Sequence, residues 1–327
     1  MASSKIKILY LLNILNRYTD IQNQLTAEEL CARMNDEYGI KAERKSVYRD
    51  IEYLREYGID IKKGPRGYFV DEREFSVAEV RLLISAVQTA PFITATKTKN
   101  LTRKLTGKLS KNQAEMIHGQ SNLGSIKFTN EEVYKTIEMI NAAIASHKKI
   151  SFYYYKYNVK RIDEKQHGGA RYIVSPYAMI WLQDRYYLVC NVEGHDNLAH
   201  FRIDRIRGIY IEQVPWRHFS EVSQFRSRFD AAKYASYCVN MFGGEIKSVS
   251  LRCKNERVNE IFERFGDKIP IKQDSPHTFI TNVDVAVSDG FYSWIAHFFG
   301  DIEITAPENV RDEYKKKISD VAKLYND

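Results

Sequence analysis

Cysteine is scarce in this chain, and long apolar runs are missing. The cysteines Cys31, Cys190, Cys238 and Cys253 stand far apart, without a CxxC pair or a paired Cys/His spacing. This scatter disfavours a disulfide framework or a zinc site, and we expect buried thiols and no cofactor. No stretch approaches the roughly 18 apolar residues that cross a membrane, and residues 1–30 lack the apolar block of a signal peptide. The sequence predicts a soluble, cytoplasmic protein.

Catalytic motifs are missing as well. The sequence has no acidic metal cluster, no HExxH, no nucleophile elbow and no phosphate-cradling glycine loop, and its eight histidines are dispersed. We therefore expect a protein that is not an enzyme. A nucleic-acid-processing enzyme, such as a nuclease, is the remote alternative.

Positive charge exceeds negative charge, and the excess is local. The chain has 327 residues, of which 44% are hydrophobic, so two or three domains can each bury a core. A net charge of +7 favours a polyanionic partner. Residues 41–66 carry eight cations against five acids, and residues 97–111 carry six cations and no acid. This clustering favours specific binding to DNA over nonspecific binding along it.

Residues 1–72 carry the pattern of a winged helix-turn-helix. An apolar stripe predicts a first helix, a capping box from Thr26 to Glu29 opens a second, and a third runs from about Arg44 to Tyr57. Two short strands, 59–61 and 68–70, flank a cation-rich loop. A third helix of this kind enters a major groove about 12 Å wide while the hairpin lies against phosphate. The predicted DNA contacts are Arg44, Lys45, Ser46, Tyr48, Arg49, Lys62, Lys63 and Arg66.

The alternative is that this basic face and this loop are merely solvated. Residues 45–51, Lys-Ser-Val-Tyr-Arg-Asp-Ile, resemble the recognition helix of the DeoR-like regulators. The resemblance implies that Ser46 and Tyr48 help to dock the DNA backbone, while the cations contact phosphate or guanine edges. We expect Asp50 to orient Arg49 or Arg55 rather than to touch DNA.

Residues 73–147 form a predicted helical connector. A second capping box at Ser76 to Glu79 leads into apolar periodicity, and further helices are predicted at 97–118 and 130–146. The apolar surface is larger than a linker needs, which suggests a homodimer with paired DNA-binding heads. Helices that pack on the later domains of their own chain are the alternative. The cations at 97–111 either flank DNA or are solvated.

Residues 148–216 contain short alternating strands, predicted at 149–155, 172–176, 178–182, 186–192 and 200–206, which together favour a small barrel. Tyr186-Tyr187-Leu188 and the run Phe-Arg-Ile-Asp-Arg-Ile at 201–206 resemble the WYL domain, which is named for a Trp-Tyr-Leu tripeptide. Residues 150–154 and Pro176 fit the same pattern. The resemblance implies an Sm/SH3-like barrel that senses a nucleotide or a short single-stranded nucleic acid.

The residue chemistry of this module agrees with such a ligand. His200, Arg202 and Arg205 are predicted cationic donors for phosphate, and Tyr154 and Trp181 are predicted to stack on a base. Arg202 and Arg205 differ in strand parity, so a regular strand would direct them to opposite faces. Either the strand bends there, or one arginine is structural and pairs with Asp204. Internal ion pairs are the alternative for both arginines.

Residues 217–327 are predicted to mix helices and strands. Helices are expected at 229–242, 258–265 and 291–299 and from Val310, and strands at 246–253, 278–287 and 302–305. This order resembles the ferredoxin-like, WCX-type extension that follows WYL domains. The predicted fold class is therefore α+β and multidomain: a winged helix-turn-helix, a helical connector, a small β-barrel and a ferredoxin-like extension.

These features predict a homodimeric DNA-binding transcription regulator that binds operator duplex. We expect a repressor that its ligand releases, and the resemblance implies phage-defence or DNA-damage genes as targets. An activator of the same build, in which the ligand strengthens promoter binding, is the alternative. The two differ in how the ligand changes promoter affinity.

Overall fold

The computed structural model describes residues 4–118, 127, 130–160, 163–182 and 184–325. The chain divides into two compact units, an N-terminal unit of residues 1–129 and a C-terminal unit of residues 130–327. Within the described residues, no helix combines the length and the apolar composition that a membrane crossing requires. The fold is mixed α/β, with helices first and curled antiparallel sheets after them.

The N-terminal unit begins with three helices and a hairpin and continues with further helices. Its elements are α1 (Ser4–Tyr18), α2 (Ala27–Tyr38), α3 (Arg44–Glu56), β1 (Ile61–Gly64), β2 (Gly67–Val70), α4 (Val77–Thr89), α5 (Ala95–Thr106) and α6 (Lys111–His118). Both predicted capping boxes are confirmed, with Thr26 and Glu29 at α2 and Ser76 and Glu79 at α4. Each box pairs backbone amides that the first helical turn leaves without partners.

The first three helices enclose a shared apolar core. Leu11 and Ile14 of α1, Leu30 of α2, and Val47 and Ile51 of α3 are fully buried. The periodic apolar residues of α3 therefore face the core, which leaves the opposite face of the helix to solvent. This packing fixes the direction of the basic face.

The hairpin is tied to the residues that precede α2. β1 and β2 pair antiparallel, and Leu25 exchanges backbone hydrogen bonds with Tyr68 at 3.1 and 2.7 Å. Gly67 permits this approach because its φ is 150°, and a Cβ there would lie 2.3 Å from the Leu25 carbonyl. This extra pairing, which was not predicted, holds the hairpin against the helices.

Polar contacts join the residue before α6 and the start of the connector to α1 and the turn that follows it. The Ser110 hydroxyl donates to the Asp20 carboxylate at 2.6 Å, and both residues are buried. The Arg73 guanidinium donates to the carbonyls of Asn16, at 2.9 Å, and Thr19. These contacts make α4 to α6 part of the same compact unit as the first three helices.

The C-terminal unit opens with α7 (Val133–Ala145) and a curled sheet. Its strands are β3 (Lys148–Tyr157), β4 (Asp163–Lys165), β5 (Tyr172–Leu182), β6 (Arg185–Val192), β7 (Leu198–Arg202) and β8 (Ile206–Pro215). The order β4-β3-β5-β6-β7 is extended by β8, which pairs with β3. The first and last long strands of this region therefore meet, which curls the sheet toward closure.

Two strand predictions for this region were wrong in detail. The predicted strands 172–176 and 178–182 form one strand, β5, because a register shift between Pro176 and Ala178 absorbs the proline without ending the pairing. The predicted strand 200–206 ends at Arg202, where a 3-10 turn over Ile203–Arg205 redirects the chain into β8. The greater part of β8 was not predicted.

The remainder of the unit contains a second sheet. Its elements are α8 (Ala231–Tyr237), β9 (Glu245–Lys254), α9 (Val258–Phe265), β10 (Ile271–Ser275), β11 (Thr278–Val287), α10 (Asp289–Ala296), β12 (Ile302–Ala306) and α11 (Glu308–Lys323). The strands lie in the order β10-β11-β9-β12, and every neighbouring pair is antiparallel. The predicted helix 258–265 and strand 278–287 are confirmed, whereas β10 was not predicted. The predicted helix 229–242 is shorter in the structure.

Candidate nucleic-acid interface and ligand cavity

The exposed face of α3 carries two cations without a protein partner. Lys45 and Arg49 are exposed, and neither side chain forms a hydrogen bond or an ion pair with any described residue. Tyr48 lies on the same helix, is 46% exposed and has its ring 6.1 Å from that of Tyr68 in β2. The helix and the hairpin are therefore in side-chain contact beside the two unpaired cations.

The turn of the hairpin adds two more cations. Lys63 and Arg66 are exposed, and within the described part of the chain their side chains have no acidic partner. The Arg66 amide donates to Gln24 Oε1 at 2.9 Å, which anchors the turn. Lys62 differs, because Asp71 and Asp60 hold its ammonium group and raise its pKa. Lys63 and Arg66 are thus better placed than Lys62 to meet phosphate.

Other predicted DNA contacts are engaged within the unit. Arg44 forms an ion pair with Glu28, and the Ser46 hydroxyl accepts from the Lys7 ammonium. Lys7 also lies 2.7 Å from Asp50. The expectation that Asp50 orients Arg49 or Arg55 was wrong, because this carboxylate is turned inward toward α1.

Arg55 has partners of its own. Its guanidinium bonds to Glu52 at 2.7 Å and to the carbonyl of Ile61 at 2.7 Å. It also lies 5.9 Å from the centre of the Tyr68 ring. Arg55 therefore joins α3 to the hairpin and is not available to DNA in this arrangement.

A cavity of about 920 Å³ lies in the C-terminal unit beside β7, and we call it the β7 cavity. Three predicted ligand residues, Tyr154, His200 and Arg202, line it. The opposite wall comes from α8 and the segment that follows it, including Tyr234 and Met241. This second wall is not predictable from the sequence pattern, because those residues lie on an element more than thirty positions away from β7.

Tyr154 lines the cavity and is buried. Its hydroxyl accepts from the Arg202 amide at 3.2 Å, and its ring packs edge-on against Phe201 at 5.0 Å and Tyr172 at 6.3 Å. Burial raises the pKa of Tyr154, and the nearby Arg205 opposes that rise. With its ring already packed among aromatic neighbours, Tyr154 offers its polar edge rather than a free stacking face.

The two arginines of the predicted site have different environments. Arg202 forms a two-point ion pair with Asp204, and the Asp204 side chain is only 7% exposed. Arg205 is half-buried, has no carboxylate partner among the described residues and lies beside Tyr154. The Asn130 side chain donates to the Asp204 carbonyl at 3.0 Å and so supports the turn. A regular strand would direct Arg202 and Arg205 to opposite faces. Both expected explanations hold, because the strand bends at this point and Arg202 is paired with Asp204.

His200 has both ring nitrogens occupied by protein groups. Nδ1 lies 2.7 Å from the Met241 carbonyl and Nε2 lies 2.9 Å from the Tyr234 hydroxyl. Because a carbonyl only accepts, Nδ1 carries the proton and Nε2 accepts from Tyr234. Burial lowers the pKa of His200. The imidazole is therefore neutral near pH 7, which does not suit the predicted role of cationic donor.

Trp181 stands apart from these residues. It is 49% exposed on β5, paired in register with Tyr186 of β6, and it is not among the residues that line the β7 cavity. The structure thus places Tyr154, His200 and Arg202 on the cavity wall. Arg205 interacts with Tyr154 but, like Trp181, does not itself line the cavity. Stacking of Trp181 on a ligand in this cavity remains a prediction without support from the geometry.

The four cysteines are free, and three of them, Cys190, Cys238 and Cys253, are buried. Burial raises the pKa of Cys238 to about 11 and that of Cys253 to about 12, so both are thiols at neutral pH. Cys31 is half-buried. No group of three or more His, Cys, Asp or Glu residues in the described chain is arranged to hold a metal ion.

Comparison with known proteins identifies two domains. The sequence profile of the WYL domain matches residues 135–211, and that of the WCX domain matches residues 246–322. Proteasome accessory factor B/C (PafBC) of Arthrobacter aurescens is 17% identical, with a TM-score of 0.29 over 99% of this chain and 49% of that one. This chain therefore spans about half the length of PafBC.

A crystal structure of a CRISPR Cas-related protein is 16% identical, with a TM-score of 0.38 over 99% of this chain and 84% of that one. No curated protein matches the sequence. The two domain matches are therefore the basis for the assignment. The chain therefore contains a WYL domain and, after it, a WCX domain.

Proposed function

We propose that this chain is a ligand-responsive transcription regulator that binds a specific DNA duplex through its N-terminal unit. The observation that carries the proposal is the set of four exposed, unpaired cations, Lys45 and Arg49 on α3 and Lys63 and Arg66 on the hairpin turn. Cations that the protein does not neutralise are available to phosphate, and a helix can present them inside a major groove.

The finer assignment of this unit is a winged helix-turn-helix. Three helices with one core, followed by a hairpin that pairs with Leu25, support it. In this arrangement Arg49 and Lys45 reach base edges or nearby phosphates, and Tyr48 docks against the sugar-phosphate backbone. Arg44 and Ser46 require their present partners, Glu28 and Lys7, to move before they contact DNA. We therefore assign them secondary roles.

The WYL domain supplies the sensor in this proposal. The curled sheet that returns from β8 to β3 supports a small Sm/SH3-like barrel, and the β7 cavity has room for a nucleotide or a short nucleic-acid segment. Arg205 is the anion contact that we favour, because it is the arginine of the pair without a carboxylate partner. Arg202 and Asp204 hold the turn that presents it.

The WCX domain completes the architecture. The order β10-β11-β9-β12, with α9 and α10 in the crossovers, supports a ferredoxin-like extension. We further propose a homodimer, because two copies of the DNA-binding N-terminal unit suit a symmetric operator. Repression is the favoured default, since a bound dimer blocks a promoter without other factors. The activator remains the alternative, and the sign of the ligand's effect on DNA affinity separates the two.

Selection of duplexes from a random library by the full chain tests DNA recognition. We expect one sequence pattern to be enriched by the wild type and lost with Lys45→Ala/Arg49→Ala. The matched control is Lys315→Ala/Lys316→Ala, which removes the same charge from exposed positions of α11. Equal enrichment by both double variants, or no enrichment by the wild type, would contradict the proposal.

A further inference from the structure

A polar pocket of about 570 Å³ in the N-terminal unit extends from the hairpin turn to α6. Arg33 of α2, Arg66 of the hairpin turn and Lys111 of α6 line it. Among the described residues, Glu115 of α6 is the only acid on its wall, so the pocket carries a net charge of +2. We call this space the α6 pocket. A concave site with an excess of cations attracts an anion.

The start of α6 is held in place by polar contacts that do not involve its exposed lysine. Ser110 and Gln113 form two hydrogen bonds of 3.1 Å, in which each side chain accepts from the backbone amide of the other. The Ser110 hydroxyl also donates to Asp20, whose carboxylate accepts from the backbone amides of the turn that follows α1. Lys111, the first residue of α6, is therefore presented from a fixed position beside this turn.

Two lysines of this region, three positions apart, differ in their surroundings. Lys108 is exposed, and its ammonium group lies 2.6 Å from the carboxylate of Glu74. Lys111 is also exposed, but its side chain forms no hydrogen bond or ion pair with any residue that the structure describes. The sequence left open whether the cations at 97–111 flank DNA or are solvated. The difference between the two lysines makes Lys111 the one available to an external anion.

Arg33 is oriented by an aromatic ring and is only partly neutralised. Its guanidinium lies 4.0 Å from the centre of the Tyr18 ring, which also lines the pocket. Its carboxylate partner, Glu37, is 3.9 Å away and also lies 3.6 Å from the guanidinium of Arg17. One carboxylate shared between two guanidinium groups does not cancel both charges. Long, solvent-exposed ion pairs also contribute little, so Arg33 retains positive charge at the pocket wall.

Uncharged donors complete the pocket. Gln22 and Asn112 line it, and neither side-chain amide forms a hydrogen bond within the described part of the chain. Asparagine and glutamine amides are among the groups that donate to phosphate oxygens in protein–DNA complexes. Gln24 differs, because its side chain accepts from the Arg66 amide and donates to the Ile21 carbonyl. Cations and free donors therefore meet in a space with room for a stretch of sugar-phosphate backbone.

We propose that the α6 pocket binds a backbone phosphate of duplex DNA, which makes the connector part of the DNA interface. The assignment rests on the DNA-binding function proposed for the N-terminal unit, because Arg66 belongs both to the pocket and to the hairpin turn. Arg33 and Lys111 attract the phosphate charge, while Gln22 and Asn112 donate to its oxygens. Phosphate contacts of this kind fix the position of a protein on the duplex and read no sequence.

Titration of the full chain with its selected duplex at several salt concentrations tests this contact. Lys111→Ala should lower the slope of log affinity against log salt by about 1, because one phosphate contact releases about one counterion. Lys111→Arg keeps the charge and should retain the wild-type slope. The matched control is Lys108→Ala, which removes another exposed lysine of the connector. Because Glu74 already holds that ammonium group, the slope should not change.

Arg33→Gln provides an independent measurement of the same contact. It should also lower the salt slope by about 1. Arg17→Gln is its control, because Arg17 lies beside the same Tyr18 ring and the same Glu37 carboxylate but does not line the pocket. Both pocket variants should weaken binding to the selected duplex and to an unrelated duplex by the same factor, since a phosphate contact does not read sequence.

Three outcomes would contradict this assignment, and they differ in what they leave standing. Specific duplex binding with a wild-type salt slope in Lys111→Ala would overturn the α6 contact and leave the DNA-binding regulator intact. Absence of duplex binding by the wild type would overturn the regulator and the α6 contact together. Calorimetric titration with inorganic phosphate covers the third. Saturable phosphate binding that Lys111→Ala abolishes, with no change in the duplex salt slope, would assign the pocket to a free anion instead.

Discussion

Arg202 and Asp204 form a two-point ion pair across the turn between β7 and β8, with Nε–Oδ1 at 3.1 Å and Nη2–Oδ2 at 2.7 Å. Their side chains are 13% and 7% exposed, so the pair is largely removed from water. Arg205, at the end of the same turn, has no carboxylate partner among the described residues. The pair therefore has a structural role, whereas no described carboxylate neutralises the charge of Arg205.

Loss of Arg202 should destabilise the C-terminal unit. Arg202→Ala leaves the Asp204 carboxylate buried without its partner, which costs about 3 kcal/mol, the lower end for a buried pair because Arg202 is partly exposed. Urea unfolding of the full chain measures the change. Arg202→Ala/Asp204→Asn should recover part of the loss, and a single variant as stable as the wild type would contradict this role.

Loss of Arg205 should remove the response to ligand without unfolding the protein. Arg205→Ala deletes the unpaired cation beside Tyr154 while the Arg202–Asp204 pair remains. Operator affinity without ligand should stay the same, and the ligand-induced change in that affinity should be lost. Gel shifts with and without a short single strand or a nucleotide measure both. A full ligand response in this variant would exclude Arg205 from the sensor.

Arg49 should contribute directly to operator binding. Arg49→Ala removes an exposed guanidinium of α3 that has no described protein partner, so binding should weaken by ~1–3 kcal/mol if it contacts a base edge. Titration of a selected duplex gives the affinity. The control Arg228→Ala removes an exposed arginine of the C-terminal unit and should bind normally. Equal affinities for wild type and Arg49→Ala would remove Arg49 from the interface.

The hairpin cations should appear in the salt dependence of binding. Lys63→Ala should lower the slope of log affinity against log salt by about 1, because one phosphate contact releases about one counterion. Lys62→Ala should change the slope less, since Asp60 and Asp71 already hold that ammonium. Titrations at several salt concentrations provide the slopes, and the reverse ranking would contradict the assignment of Lys63.

His200 should make stability fall in mild acid. Burial lowers its pKa below the ordinary 6.5, so the unfolded chain takes up the proton first as pH falls. The contribution of His200 to folding stability is complete above about pH 6.5 and declines below that value. Urea unfolding at pH 7.5 and 5.5 should show a smaller pH effect in His200→Gln than in the wild type. The exposed His277→Gln is the control, and an unchanged pH effect in His200→Gln would refute this assignment.

The sequence pattern correctly predicted those helices and strands whose bounds depend on residues close by in the chain. The capping boxes at α2 and α4 and the bounds of α9 and β11 are readable because they depend on nearby residues. β10 was missed because all but its last residue are exposed, so no buried alternation marks it and pairing with β11 defines it. The predicted helix 229–242 ends early, at Tyr237, because Cys238 adopts extended backbone angles, and the positive φ values of Asn240 and Met241 keep the chain from resuming a helix.

The candidate sites depend on contacts between distant residues, which the sequence pattern does not specify. Asp50 pairs with Lys7, 43 positions earlier, rather than with a neighbour on its own helix. His200 meets Tyr234 and Met241 of a different element, which makes it a neutral link. The types of residue at the candidate sites were predictable from the sequence. The structure was needed to show which charged side chains form ion pairs within the protein and which do not.

The most direct test of the account is the affinity of the full chain for its selected duplex with and without ligand. The ligands would be a short single strand and mononucleotides, compared in the wild type and in Arg205→Ala. We predict specific duplex binding that a ligand weakens in the wild type and leaves unchanged in Arg205→Ala. Strengthening by ligand would favour the activator. Absence of specific duplex binding under every condition would contradict the central claim that this WYL-domain protein is a DNA-binding regulator.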